Sequence, residues 1–509
     1  MEKILKSQVY FKDTVLNDTT EQAIDVDFTL PDYCPDISKI FKCQAVPRIS
    51  SKGINGKTVT IDGCVAITLL YCDKDGNFCS YDYQYPFSKN LELQSECMNA
   101  NLCAKVKTEY INCRAVTGRK VDIHGAVNIS VRVFKKKTCE IVSDYDDKNV
   151  ELRRGIAPAT VPMGYAEKYL MVEEEIRIGD TKPSIRNILR SDASSCIKET
   201  KIINGKAVVK GELTVSVLYC PDKAGGPQCV KSVIPFSQII DVDGITEICE
   251  CETKSEIAFC EVKPRMNQNG ENRSISFTAK ILLTCEGYCG NDIAVVLDAF
   301  SRKFEAKIES NKICFEKITH NIRETFGIKK NIKLDENISS VVDLWANIGT
   351  VNTKFQKDNL IICGTVVTGM IICNESGNTI YFEKPIDFEY KYALEHSLNS
   401  PHCEPQIEIK SCGYTISAAD NIEVRIDLLI NAAVYEKNDI SLISEIEVDL
   451  SKPTQKNKKG AMTIYFPNSR ECVWDIARIY NASVEEIMRI NGLESEELQA
   501  GKMILVPVM

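Results

Sequence analysis

Four histidines and 23 cysteines carry most of the chemical potential of this 509-residue chain, and their spacing limits what they can do. His124 lies in an alternating strand pattern, His320 in a connection, and His396 and His402 in a loop. No two stand four apart, the spacing that puts a zinc-binding pair on one helix face. A glycine-rich phosphate cradle is absent, as is a serine at a strand-to-helix elbow. The Gly225-Gly226 doublet stands at a hairpin tip between Cys220 and Cys229. Cys249-x-Cys251 and Cys285-x-x-x-Cys289 lie about 34 residues apart, without the two close pairs of a usual zinc site. Cys72 and Cys79, like Cys220 and Cys229, flank hairpin tips and would bridge on late oxidation if their Cβ atoms came within about 4.5 Å. Enzymatic chemistry is therefore not expected, and neither is a metal or a cofactor.

Composition narrows the class further. A 57.0 kDa chain exceeds one hydrophobic core and suggests about three to four domains. Hydrophobic residues at 44% and charged residues at 26% are ordinary for a globular chain. A net charge of −9 argues against a nucleic-acid partner, whose phosphates need clustered Lys and Arg. The longest apolar run, Leu360 to Cys373, falls short of the about 20 residues that cross a bilayer, so no membrane span is expected. The start, Met1-Glu-Lys-Ile-Leu-Lys-Ser-Gln8, has no apolar stretch of signal-peptide length. A reducing compartment with free thiols is the expectation.

The elements that hold these side chains come in repeats. Leu30-Pro-Asp-Tyr-Cys-Pro-Asp-Ile-Ser-Lys-Ile-Phe41 returns as Ile178-Gly-Asp-Thr-Lys-Pro-Ser-Ile-Arg-Asn-Ile-Leu189. Ile54-Asn-Gly-Lys57, Gly63, Tyr71-Cys72 and Pro86-Phe-Ser88 return as Ile203-Asn-Gly-Lys206, Gly211, Tyr219-Cys220 and Pro235-Phe-Ser237. Every offset is 148 or 149, a register that marks duplication. A fainter third copy opens at Ile332 and aligns Cys363–Cys373 with Lys210–Cys220 and Pro385 with Pro235. Within each copy the period is two. Lys120–Phe134, Ser274–Ile281 and Ile422–Ile430 alternate apolar with polar, and Asn55-Gly56 and Asn204-Gly205 mark hairpins. Pro35–Ile40 and Pro183–Ile188 read as one short helix per copy, each with proline at its start. The expected fold is mainly β: three tandem antiparallel sandwich- or barrel-like units at 1–150, 151–315 and 316–450.

A polar stretch, 451–460, reads as a linker isolating a different module at 461–509. Met462–Phe466 is a short strand. Val473, Ile476, Ala477 and Tyr480 share one helix face, and Ser483-Val-Glu-Glu486 has the form of a capping box. Asn491-Gly492 ends the second helix and Met503–Val506 is the last strand, a βααβ order.

Trp474-Asp-Ile-Ala-Arg-Ile-Tyr480, Asn481–Ile487, Arg489-Ile-Asn-Gly-Leu493 and Ala500-Gly-Lys-Met-Ile-Leu-Val-Pro507 resemble a LysM domain. The resemblance implies a glycan groove between the loop after the first strand and the loop before the second. Here Pro467-Asn-Ser-Arg-Glu-Cys472 replaces the family's usual Gly-Asp-Thr. The repeats, through Pro35-Asp-Ile37, Ile54-Asn-Gly-Lys57 with Gly63, Tyr71 and Pro86-Phe87, resemble the SPOCS domain of spore coat proteins. SPOCS units followed by one LysM domain are similar to the SipL-type coat morphogenetic family of clostridia. That family implies a non-enzymatic scaffold in the mother-cell cytoplasm, at the forespore surface. It implies a SpoIVA-type coat ATPase and other spore coat proteins as partners, with peptidoglycan the alternative ligand. From topology, Ile464, Asp475, Arg478, Asn491 and Gly492 are expected contact residues of the LysM module, joined by Trp474 as an aromatic anchor, for which a place in the core is the alternative. The module holds four basic and seven acidic residues from Ala461 onward, which favours a protein ligand over a sugar.

Overall fold

The computed structural model describes residues 4–223, 225–454 and 461–507. The first unit has six strands: β1 (Ile4–Thr29), β2 (Lys39–Asn55), β3 (Thr58–Cys72), β4 (Phe78–Glu92), β5 (Asn101–Ala115) and β6 (Lys120–Tyr145). They form two separate antiparallel sheets, β1-β6-β5 and β2-β3-β4. The second unit repeats this with β7 (Val150–Arg177), β8 (Ile185–Ile203), β9 (Lys206–Pro221), β10 (Gln228–Asp241), β11 (Glu250–Met266) and β12 (Asn272–Ser301). Its sheets are β7-β12-β11 and β8-β9-β10. In the third unit β13 (Phe304–Lys333), β14 (Ile338–Gln356), β15 (Asn359–Asn374) and β16 (Thr379–Ala393) come first. They are followed by β17 (His402–Cys403), β18 (Gln406–Ala418) and β19 (Asn421–Pro453). The order is again the same, with the fifth strand split into β17 and β18. Each unit is thus an open two-sheet sandwich rather than a barrel. The third unit begins at Phe304, earlier than the expected 316.

Alternation explains the sandwich, because the inward residues of both sheets share one core. Val59, Ile61, Val65 and Ile67 of β3 meet Val121, Ile123, Val127 and Ile129 of β6. The repeated glycines are part of this packing. Gly63, Gly211 and Gly364 lie directly opposite Phe87, Phe236 and Phe388. Each phenylalanine ring lies over its glycine where a Cβ would stand. A Cβ on Gly211 would also come within 2.7 Å of the Cys196 carbonyl. This register corrects the third-copy alignment: Asp387, not Pro385, occupies the position of Pro235. A two-residue slip keeps every side chain on its face, so periodicity alone does not detect it.

The segments expected as helices are not helical. Pro31–Ser38 is an irregular loop, and Ile185–Ile188 already belongs to β8. Arginine side chains hold these loops. Arg119 donates to the Leu30, Pro31 and Cys34 carbonyls at 3.1, 2.7 and 3.3 Å. Arg273 does the same for Lys182 and Gly179. The buried Tyr71 and Tyr219 hydroxyls donate to the Pro35 and Pro183 carbonyls at 3.2 and 3.0 Å. Side chains from distant strands satisfy the carbonyls that helical hydrogen bonds would otherwise have taken.

The outer strands run past their sandwiches. Beyond β5, β1 and β6 continue as a two-stranded ribbon, pairing through Ile4↔Tyr145. β7/β12 and β13/β19 do likewise. β19 runs to Pro453, so 451–453 is strand rather than linker; 455–460 lies outside the described residues. The ribbons pack together. Val9 and Ile141, Ala157 and Val295, and Ile313 and Leu442 form one buried cluster, with Val142, Val296 and Ile443 in a second. Leu70, Leu218 and Ile371, equivalent positions on the third strand of each unit, meet in another. The three units are therefore arranged about a pseudo-threefold axis.

The hairpin cysteines do not bridge. Cys72 pairs with Phe78 and Cys79 with Tyr71, which turns the two thiols to opposite faces. Cys220 and Cys229 are also free. The bridges are Cys249–Cys289, from the residue before β11 to β12, and Cys251–Cys285, between β11 and β12, with Cα separations of 4.7 and 6.4 Å. Peptide mapping of unreduced, alkylated protein is expected to recover these two linkages and leave the other 19 thiols modified. Gly211→Ala is expected to cost about 1–3 kcal/mol through overpacking against Phe236, read as a lower denaturant midpoint.

Candidate functional site

The C-terminal module is β20 (Met462–Tyr465), α1 (Val473–Tyr480), α2 (Val484–Asn491) and β21 (Ile504–Pro507), the expected βααβ order. Val473, Ile476, Ala477 and Ile487 face inward onto Ile504 and Val506. Asp475 closes the start of α1 by accepting the Cys472 amide at 2.9 Å, which holds its carboxyl below the usual carboxylate range. Asn491 accepts the Leu505 amide at 2.8 Å and donates to the Leu505 and Ile487 carbonyls. It thereby pins α2 to β21, and Gly492 ends α2 with a φ of 59°. Asp475, Asn491 and Gly492 are thus engaged within the module.

Trp474 and Arg478 are engaged outside it. Trp474 is only 2% exposed and packs edge-to-face on Phe300 of β12, ring centres 5.0 Å apart. Its indole N–H donates to the Asp298 carboxylate at 2.9 Å, and Arg478 donates to the same oxygen at 2.7 Å. Arg153 of β7 reaches the Cys472 sulfur at 3.8 Å. Ser483 does not form its capping box. Its hydroxyl turns to Glu151, whose carboxyl burial pushes up. The module therefore does not stand apart behind a linker but is seated on the ribbon of the second unit. Only that ribbon suits it. Phe300 corresponds by register to Asp146 and Glu447 in the other two, where an anionic carboxylate would replace the aromatic ring that packs on the indole.

Two surfaces of the module remain. In the loop after β20, the Glu471 carboxylate accepts the Asn468 amide at 2.8 Å and the Tyr465 hydroxyl at 3.0 Å. The Gly501 amide donates to the Pro467 carbonyl at 2.9 Å, joining this loop to the one before β21. The Asn468 amide and the Pro467 carbonyl, backbone groups that could meet a sugar here, are thus satisfied internally. The open face of the β20–β21 pair is apolar instead. Met462, Ile464 and Phe466 alternate along it, 50%, 58% and 60% exposed. Leu505 lies opposite Ile464, and continuing the register sets the half-exposed Met503 beside Phe466. Of the six expected contact residues, Ile464 alone belongs to this face. Phe466 and Met503 were missed, although their alternation with Ile464 and Leu505 is a legible signal.

These features describe a multidomain binding protein: repeated β-sandwiches carrying one small α+β module with an exposed apolar face. Residues 36–116 and 184–265 match the SipL, SPOCS domain model, and residues 469–507 match the LysM domain model. The chain carries SPOCS domains and a C-terminal LysM domain, the SipL-type arrangement, which marks a sporulation coat-related protein. Both are non-catalytic binding domains. The third unit lies outside these matches yet repeats their strand order. No curated protein and no solved structure matches the chain.

Removing the Asp298 carboxylate would strand a buried indole N–H, at a cost of about 1–3 kcal/mol. Asp298→Ala is therefore expected to unseat the LysM domain. Tryptophan emission should shift to the red and acrylamide quenching should rise, with the helical circular dichroism retained. An unchanged spectrum would show that Asp298 does not hold the seat.

Proposed function

We propose that this protein is a non-enzymatic morphogenetic scaffold of the spore coat. Its LysM domain binds a SpoIVA-type coat ATPase, and its SPOCS units engage other spore coat proteins. It acts in the mother-cell cytoplasm at the forespore surface and tethers coat to the developing spore. The observation that carries this reading is the apolar strand face of Met462, Ile464, Phe466 and Met503. Contiguous exposed apolar surface of this kind, at a domain otherwise acidic, suits a protein contact. The internally satisfied loops beside Pro467 and Gly501 favour protein over glycan for the same reason. The SPOCS sheets add exposed edge strands, natural docking surfaces for further coat components.

Ile464→Arg places a charge at the centre of the face without touching the module's core. It should reduce recovery of the purified coat ATPase in pull-down by tenfold or more, consistent with loss of a central apolar anchor worth about 2 kcal/mol. The melting profile should be unchanged. Purified peptidoglycan serves as the competing ligand. Retention of the wild-type protein on peptidoglycan, with no recovery of the ATPase, would replace this reading with a glycan-binding one.

A further inference from the structure

Where the three units meet they border an open cavity of about 530 Å³. Its walls come from β2 and β5 of the first unit, β11 of the second, and β14 and β18 of the third. In a chain of net charge −9, this lining holds five basic residues and two acidic ones. Lys52 and Lys254 are paired with Glu167 and Glu252. Among the described residues, the side chains of Arg48 and Lys105 have no hydrogen-bond or ion-pair partner within reach, and that of Lys107 donates only to the Gly349 carbonyl. Lys105 also lines an adjoining cavity of about 100 Å³ and keeps accessible surface there. Lys105 and Lys107 remain exposed to solvent, so an incoming anion can reach both. Desolvation depresses the Lys105 and Lys107 ammonium groups, with Lys254 adding to the first and the Glu256 and Glu252 carboxylates opposing it. Burial lifts the Glu256 and Glu408 carboxyls, and Lys105 acts on both in the opposite sense.

We propose that the cavity binds a small polyvalent anion, one presenting several phosphate or carboxylate oxygens to Lys105, Lys107 and Arg48. The volume falls in the range of about 300–1,000 Å³ that small-molecule sites occupy. Oxygen anions form charge-assisted hydrogen bonds with ammonium and guanidinium groups, roughly twice as strong as neutral ones. A bound anion would complete a junction to which all three units contribute, and would favour their assembled arrangement over separation.

The test is calorimetric titration and thermal melting of the full chain with sodium pyrophosphate and with citrate, at constant ionic strength. Binding of either, with a raised melting temperature, is expected; the stronger ligand tells condensed phosphate from polycarboxylate. Lys105→Met should weaken that binding by at least about tenfold and abolish the ligand-induced rise in melting temperature. Glu256→Gln should instead strengthen binding. Absence of binding at millimolar concentrations of both anions, or affinity unchanged in Lys105→Met, would overturn the proposal.

Discussion

The structure depends on three two-stranded ribbons that cannot stand alone. Each continues beyond its sandwich with apolar side chains that nothing in its own unit covers. An isolated ribbon of this kind is at best marginally stable in water. Val9 and Ile141 of the first, Ala157 and Val295 of the second, and Ile313 and Leu442 of the third solve the problem jointly. The repeats are therefore parts of one folded body, not beads on a string.

Joining the three units in one chain also frees them to differ. A symmetric trimer would place three like side chains at each equivalent position around the axis. Here Lys42, Arg190 and Asp343, paired with Leu70, Leu218 and Ile371, occupy one such position. Arg190 is buried, pairs with Asp192 and stacks on Trp345 at 3.7 Å. Asp343 takes an ion pair from Lys231 at 3.1 Å, and Gln44 donates to Asp192 at 2.7 Å. Each junction thus has its own chemistry. The same asymmetry gives the second ribbon alone an aromatic seat for the LysM domain and gives the central cavity its basic lining.

The seat changes how the LysM domain presents itself. Burying Trp474 against Phe300 removes the module's most obvious aromatic anchor from solvent. The apolar face of β20 and β21 is left open. Ser483 shows how a local signal is overridden. Its capping box is complete in sequence, yet the hydroxyl serves Glu151 of another domain, and one hydrogen bond is a small term beside the packing of a domain interface.

By itself the sequence determined the repeats, their β character, and the βααβ module, because these rest on local periodicity and turn chemistry. Gly63, Gly211 and their aromatic partners were legible as recurring pairs before their contact was known. The tertiary structure alone decided that the proline-led segments are loops, since Arg119 and Arg273 reach them from about 90 residues away in sequence. It alone decided which cysteines pair, since only the packing of β11 on β12 brings Cys249 and Cys251 within reach of Cys289 and Cys285. It alone decided that Trp474 belongs to an interior, since its partners Asp298 and Phe300 come from a different domain. Local patterns specify elements; which surfaces those elements bury is settled only by what they meet.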